Sequence, residues 1–166
     1  MIGECVWVMG DARTVGARRL TEIERTVMEA IPVPVDWAIV RLYQGECHGT
    51  AGWLRRLVLG ASRNRAIALG NHVFLPDRCQ GDLAVLAHEL THCGQYQTWG
   101  PVKYFARGIS AQLRELLHRR LNIGSSPYRY QLTPGKPFTS YGMEQQAQMV
   151  EEDFRSRNSA QTMPSA

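Results

Sequence analysis

Apolar residues recur at helical spacing in four stretches of the chain, and each stretch is bounded by residues that cap or break helices. Leu20, Ile23, Val27 and Ile31 mark the first, where Thr21 and Glu24 form a capping-box pattern and Pro32 and Pro34 stop the run. Leu83, Leu86, Ala87 and Leu90 mark the second, from Leu83 to Trp99, with Asp82 as N-cap and Gly100-Pro101 as its end. The third runs from Val102 to Leu121. Its stripe is Phe105, Ile109, Leu113, Leu116, Leu117 and Leu121, with Arg114, Arg119 and Arg120 elsewhere around the cylinder and Gly124 as cap. The fourth, Met143 to Phe154, packs through Met143, Ala147, Val150 and Phe154.

Strand signals are fewer. Val35 to Tyr43 is rich in β-branched and aromatic residues and reads as a strand. Ala66 to Leu69 and His72 to Leu75 flank Gly70-Asn71, which predicts a hairpin or a bulged strand just before the second helix. Between Gln44 and Asn64, glycines at 45, 49, 52 and 60 surround a segment readable as short helix or as loop. Ser125 to Gly142 is a loop by its Pro, Gly and Ser content, yet Tyr128, Tyr130, Phe138 and Tyr141 predict that it is pinned to the body. From Arg155 onward the chain is polar and aperiodic, which predicts a disordered tail. The expectation is an α+β fold with a small sheet, one domain over residues 1–154 and a tail over 155–166.

Composition changes this picture little. With 166 residues, 44% hydrophobic and 20% charged, the chain fits one globular domain with a real core. A net charge of +4 invites nucleic-acid binding, but no recognition motif accompanies the basic residues, so a solvated basic surface is expected and no nucleic-acid partner. No apolar run reaches the length of a membrane span, and Glu4 stands where a signal peptide would carry positive charge; the expectation is a protein folded in the cytoplasm, with no membrane partner. Cys5, Cys47, Cys79 and Cys93 form no CxxC pair. Cys93 reads as core, and a bridge between Cys47 and Cys79 is open.

The chemistry sits in the second helix as His88-Glu89-x-x-His92. Four residues apart on a helix, the two imidazoles share a face and can reach one metal ion, and Glu89 on the adjoining strip can take a proton from water at that metal. This pattern predicts one Zn2+ per chain and a metallopeptidase acting on a peptide or protein substrate. A catalytic zinc needs a third protein ligand. Gln95 and Thr98 occupy the positions where a metzincin would have Gly and His, so a carboxylate from a later helix is expected. Glu144 is the first choice, near the start of the last helix with the small Ala147 one turn on. Glu151 is the reserve, His118 is conceivable on its basic helix, and Gln148 could orient a histidine. Tyr141, or Tyr128 or Tyr130, could donate to a developing oxyanion. His72 could join the substrate wall, though a lone strand histidine more often has a local partner.

The segments LAHELTHCGQYQ, PYRYQLTPGKPF and YGMEQQAQMVEEDF, with LTEIERTVMEAI, VDWAIVRLY and GNHVFLPD upstream, resemble a bacterial family of predicted zinc metallopeptidases. That family, long labelled a domain of unknown function and sometimes called Vgr-related, is often found near contractile injection systems, including type VI secretion. The resemblance spans roughly Leu20 to Phe154. It implies a compact gluzincin-like fold with a small mixed or antiparallel sheet, with His88, His92 and Glu144 as ligands and Glu89 as general base, and secretion-system components as partners. It supplies no substrate, and leaves open use in the producing cell or export by the injection system. A catalytically silent, zinc-stabilised binding or carrier module is the alternative. One departure is Cys93-Gly94, where bulkier apolar residues are expected and glycine costs a helix about 1 kcal/mol relative to alanine.

Overall fold

The capping box at Thr21 does what its residues dictate: Glu24 N–H donates to the Thr21 hydroxyl, and the Glu24 carboxylate accepts from Thr21 N–H. In this computed structural model, which describes residues 16–121 and 130–161, that box opens α1 (Glu22–Met28). Gly124, Cys5, Tyr128 and residues 162–166 lie outside the described residues. The expected stripe is half right. Leu20 and Ile31 are buried, but Ile23 is exposed and Met28 takes the core position instead.

The strand expected over Val35 to Tyr43 is much shorter, β1 (Arg41–Tyr43). Val33 and Val35 instead pack against the helix that carries Gly94, and the Asp36 backbone bonds the Gln97 side chain, so this apolar stretch is held by a helix and not by a strand partner. The glycine-rich segment resolves as α2 (Gly49–Ala61). Cys47 and Cys79 are free thiols, so there is no bridge between them.

The expected hairpin is present as β2 (Ile67–Leu69) and β3 (His72–Phe74), paired antiparallel around Gly70, whose φ of 64° suits glycine. β1 pairs parallel with β3, giving among the described residues a three-stranded mixed sheet in the order β1-β3-β2, with β2 at its edge. Arg55 of α2 donates to the Leu75 carbonyl and the Asp77 carboxylate, fixing the path out of the sheet. Asp82 then caps α3 (Leu83–Trp99) by accepting from Ala84 and Val85 N–H.

α4 (Pro101–Leu121) and α5 (Met143–Gln161) complete an α+β fold. α3 packs against α5 more extensively than any other two elements pack, with Ala147 fully buried between them and Val150 and Phe154 in the core. The polar segment after Phe154 is not a free tail at its start, because α5 continues through it to Gln161. Gly94 is explained by this packing. A Cβ there would lie 2.6 Å from Val33 Cγ1 and 3.0 Å from the Pro34 carbonyl oxygen, so only glycine lets α3 meet that turn. No helix among the described residues is long and apolar enough to cross a membrane.

Candidate metal centre and its cleft

His88 and His92 lie on successive turns of α3 with ring centroids 5.0 Å apart. Glu144, in the first turn of α5, comes between them. Its Oε2 is 3.5 Å from His92 Nε2 and 4.0 Å from His88 Nε2. Together the three residues could hold a metal ion, with one ligand atom from each within 4.8 Å of the others. Two imidazole nitrogens and a carboxylate oxygen are donors that zinc accepts, and bonds of about 2 Å to each suit this spacing.

Around the three residues lies a set of polar supports. Gln95 Oε1 accepts from His92 Nδ1 at 2.9 Å, which leaves Nε2 to face Glu144. The same side chain donates through Nε2 to the Met143 carbonyl and to Gln146 Oε1, both at 3.1 Å. Gln146 in turn donates to the Tyr141 carbonyl at 2.8 Å. A buried amide relay therefore ties the helix of His92 to the start of the helix of Glu144. On the far side, His88 Nδ1 lies 2.9 Å from Glu151 Oε2, a charge contact set off the ring N–H direction. Arg155 holds that carboxylate at 2.8 Å and also approaches Asp82, the N-cap of α3.

Burial alone would lower the pKa of His92, but Glu144 beside it more than offsets this and raises it to about 9. Glu144 answers in kind: burial pushes its pKa up, yet the two histidines bring it below the ordinary carboxylate value. Glu89 is buried and its pKa is raised by desolvation, against the pull of both histidines and the Ala68 backbone. Metal binding to such a set displaces protons from the histidines.

The centre opens into a cavity of about 590 Å³, floored by His88, Glu89, His92 and Glu144. One wall is β2 with Arg65 before it, and the other is the face of α4 from Tyr104 to Leu116. The Tyr104 hydroxyl crosses between the walls and donates to the Ala68 carbonyl at 3.0 Å. Desolvation holds that phenol well above its usual pKa.

The structure thus brings together His88, Glu89, His92 and Glu144 and gives other roles to the remaining candidates. Glu151 supports His88 instead of completing the ligand set, and Gln148 bonds Glu152 and not a histidine. His118 stands on α4 away from the cavity lining. His72 is exposed with Nδ1 against the Tyr43 hydroxyl. Tyr141 does not face the cavity: its hydroxyl accepts from Thr133 N–H at 3.0 Å and donates to the Gln131 carbonyl, pinning the loop before α5. Tyr130 bonds Glu152. The sequence reading missed the Gln95–Gln146 relay, although Gln95 stands three residues after His92 on the same helical face. It also missed Tyr104, which no motif marks.

Residues 56–100 match the eCIS core domain. The name refers to extracellular contractile injection systems. The matched stretch begins inside α2, contains β2 and β3, and ends at the C-cap of α3, so it holds His88, Glu89 and His92 and stops short of Glu144. No curated protein and no solved structure matches the chain.

Proposed function

We propose that this chain is a metal-dependent peptidase, with zinc as its ion, working as part of an extracellular contractile injection system. The observation that carries the reading is the buried carboxylate of Glu89 beside a His88, His92 and Glu144 group that opens into a cavity of about 590 Å³. A structural zinc site is closed by four protein ligands and needs no acid at its side. Here three ligand residues come together among the described residues, and an acid stands next to them.

Zinc held there would acidify water and polarise a peptide carbonyl. Glu89 accepts the proton of the attacking water on its carboxylate and returns it to the leaving amine nitrogen. Gln95 keeps the His92 proton on Nδ1, so that Nε2 stays available as a ligand, and Glu151 lies against the Nδ1 side of His88. Arg65, which lines the cavity, takes the oxyanion role expected of Tyr141, while the Tyr104 hydroxyl gives its proton to the Ala68 carbonyl. The match over residues 56–100 supports the injection-system setting.

A zinc-stabilised binding or carrier module is the second reading. It is favoured by the Tyr104 hydroxyl, which occupies the Ala68 carbonyl on the strand edge where an extended substrate would pair. The deciding experiment measures metal content and degradation of an unstructured protein such as casein. The peptidase reading expects one zinc per wild-type chain, loss of zinc in Glu144→Ala, and retained zinc without cleavage in Glu89→Gln. Cleavage that survives Glu89→Gln removes the peptidase mechanism, and zinc with no cleavage by the wild type selects the carrier.

A further inference from the structure

We infer that the cleft receives an extended peptide whose large apolar residues lie over the metal centre and whose acidic residues lie toward the C-terminal end of α4. The inference rests on the peptidase reading and names its substrate class.

The two walls run antiparallel along one groove. At one end Tyr104 of α4 meets Ala68 of β2; at the other, Ser62 and Arg65 share a smaller adjoining pocket with Gln112 and Leu116. Between these ends α4 presents Phe105, Ile109, Leu113 and Leu116, which are 43%, 69%, 54% and 48% exposed. That stripe is about 16 Å long at the helical rise, the span of about five residues of extended chain. The Ala68 backbone on the β2 side is already bonded to Tyr104 and Glu89, so it is the apolar ridge of α4 that takes an extended chain, whose alternate side chains reach it.

Charge sets the polarity. The pocket at the far end is lined by Arg63, Arg65, Arg119 and Arg120 against one carboxylate, Glu115, which pairs with Arg119. An acidic segment complements this end. A second copy of the chain does not, since the protein is itself basic and would bring the same arginines to the same face. A single-stranded nucleic acid would want stacking rings, and among the four exposed stripe residues Phe105 is the sole aromatic one.

The test measures binding by fluorescence anisotropy on zinc-loaded Glu89→Gln protein, which holds peptide without cutting it. Three labelled eight-residue peptides are compared: a Leu/Phe core with Glu at one end, the same core with Lys at that end, and a Ser core with the Glu end. The first is expected to bind about tenfold or more tightly than either other. Ile109→Ser with Leu113→Ser should remove the advantage of the apolar core. Arg119→Glu with Arg120→Glu should remove the advantage of Glu over Lys and leave the core preference intact. Equal affinity for the three peptides overturns the inference, as does tighter binding of a labelled oligonucleotide. So does a dimer in light scattering that Ile109→Ser with Leu113→Ser dissolves. Because no turnover is read, absence of hydrolysis by the wild type leaves this result standing; hydrolysis without peptide preference overturns the inference alone.

Discussion

α3 and α4 follow one another directly, and by sequence α4 is the better amphipath, with a continuous apolar stripe and arginines elsewhere. The burial is the reverse. α3 buries ten of its 17 residues, polar ones included, whereas α4 buries Tyr104 and Ala111 and leaves its stripe in the open. α3 is covered by the sheet, by α5 and by the turn at Val33, so its apolar positions are spread around the cylinder. A sharp stripe on a helix announces an apolar face, but what meets that face is settled elsewhere. For α3 it is the protein's own core, and for α4 it is a cavity.

The largest expected effect tests the polar strip of α3. Glu89→Gln should lower hydrolysis by about 10²–10⁴-fold with the melting temperature unchanged, as read by casein degradation and calorimetry. Next, Leu90→Ala should cost about 2–5 kcal/mol in urea unfolding, whereas Ile109→Ala at its exposed site should stay within about 0.5 kcal/mol. Equal costs would erase the contrast between the two helices. Gln95→Ala strips a buried amide from three partners and should cost about 1–3 kcal/mol, with zinc affinity down about 10–100-fold in competition with a chelator. Gly94→Ala gains helix propensity but forces a Cβ into Val33, and should lose about 1–2 kcal/mol net; the same change at Gly108, where a Cβ meets nothing, should be neutral or stabilising.

The smallest effect lies outside both helices. Burial would raise the pKa of Glu24, but the Arg18 guanidinium at 2.7 Å and the Thr21 backbone outweigh it, so the folded pKa lies below 4.5. A depressed carboxylate contributes stability that is present above its unfolded pKa and is lost as pH falls through the folded one. Acid titration of unfolding should therefore show a loss below pH 4.5 that Arg18→Ala diminishes, leaving the share held by Thr21.

Much of this was legible where neighbouring residues carry the signal. The bounds of α3 followed from Asp82 and Gly100, the hairpin from Gly70-Asn71, and the α5 face from Met143, Ala147, Val150 and Phe154, because caps, turns and periodicity are local. Glu144 came from chemistry, since two histidines and a base demand a third ligand. What sequence could not give was anything decided across the chain. The Val35 segment has strand composition but faces a glycine on α3, and Glu151 and Glu144 sit two turns apart with like chemistry, so that only packing sets Glu144 between the two histidines and Glu151 on the far side of His88. Tyr141 has the expected hydroxyl, but the loop at Gln131 and Thr133 claims it.

His92 and Glu144 stand roughly fifty residues apart, and α4 lies wholly within that interval. An ion shared by the two would close the interval into a ring, a cross-link that in chain-entropy terms constrains the unfolded state by about 4 kcal/mol. The α4 wall of the cavity would then be a segment of the loop that such an ion ties shut. Chelation of such an ion would untether that wall, so that loss of metal and loss of the cavity's shape would be felt as a single event.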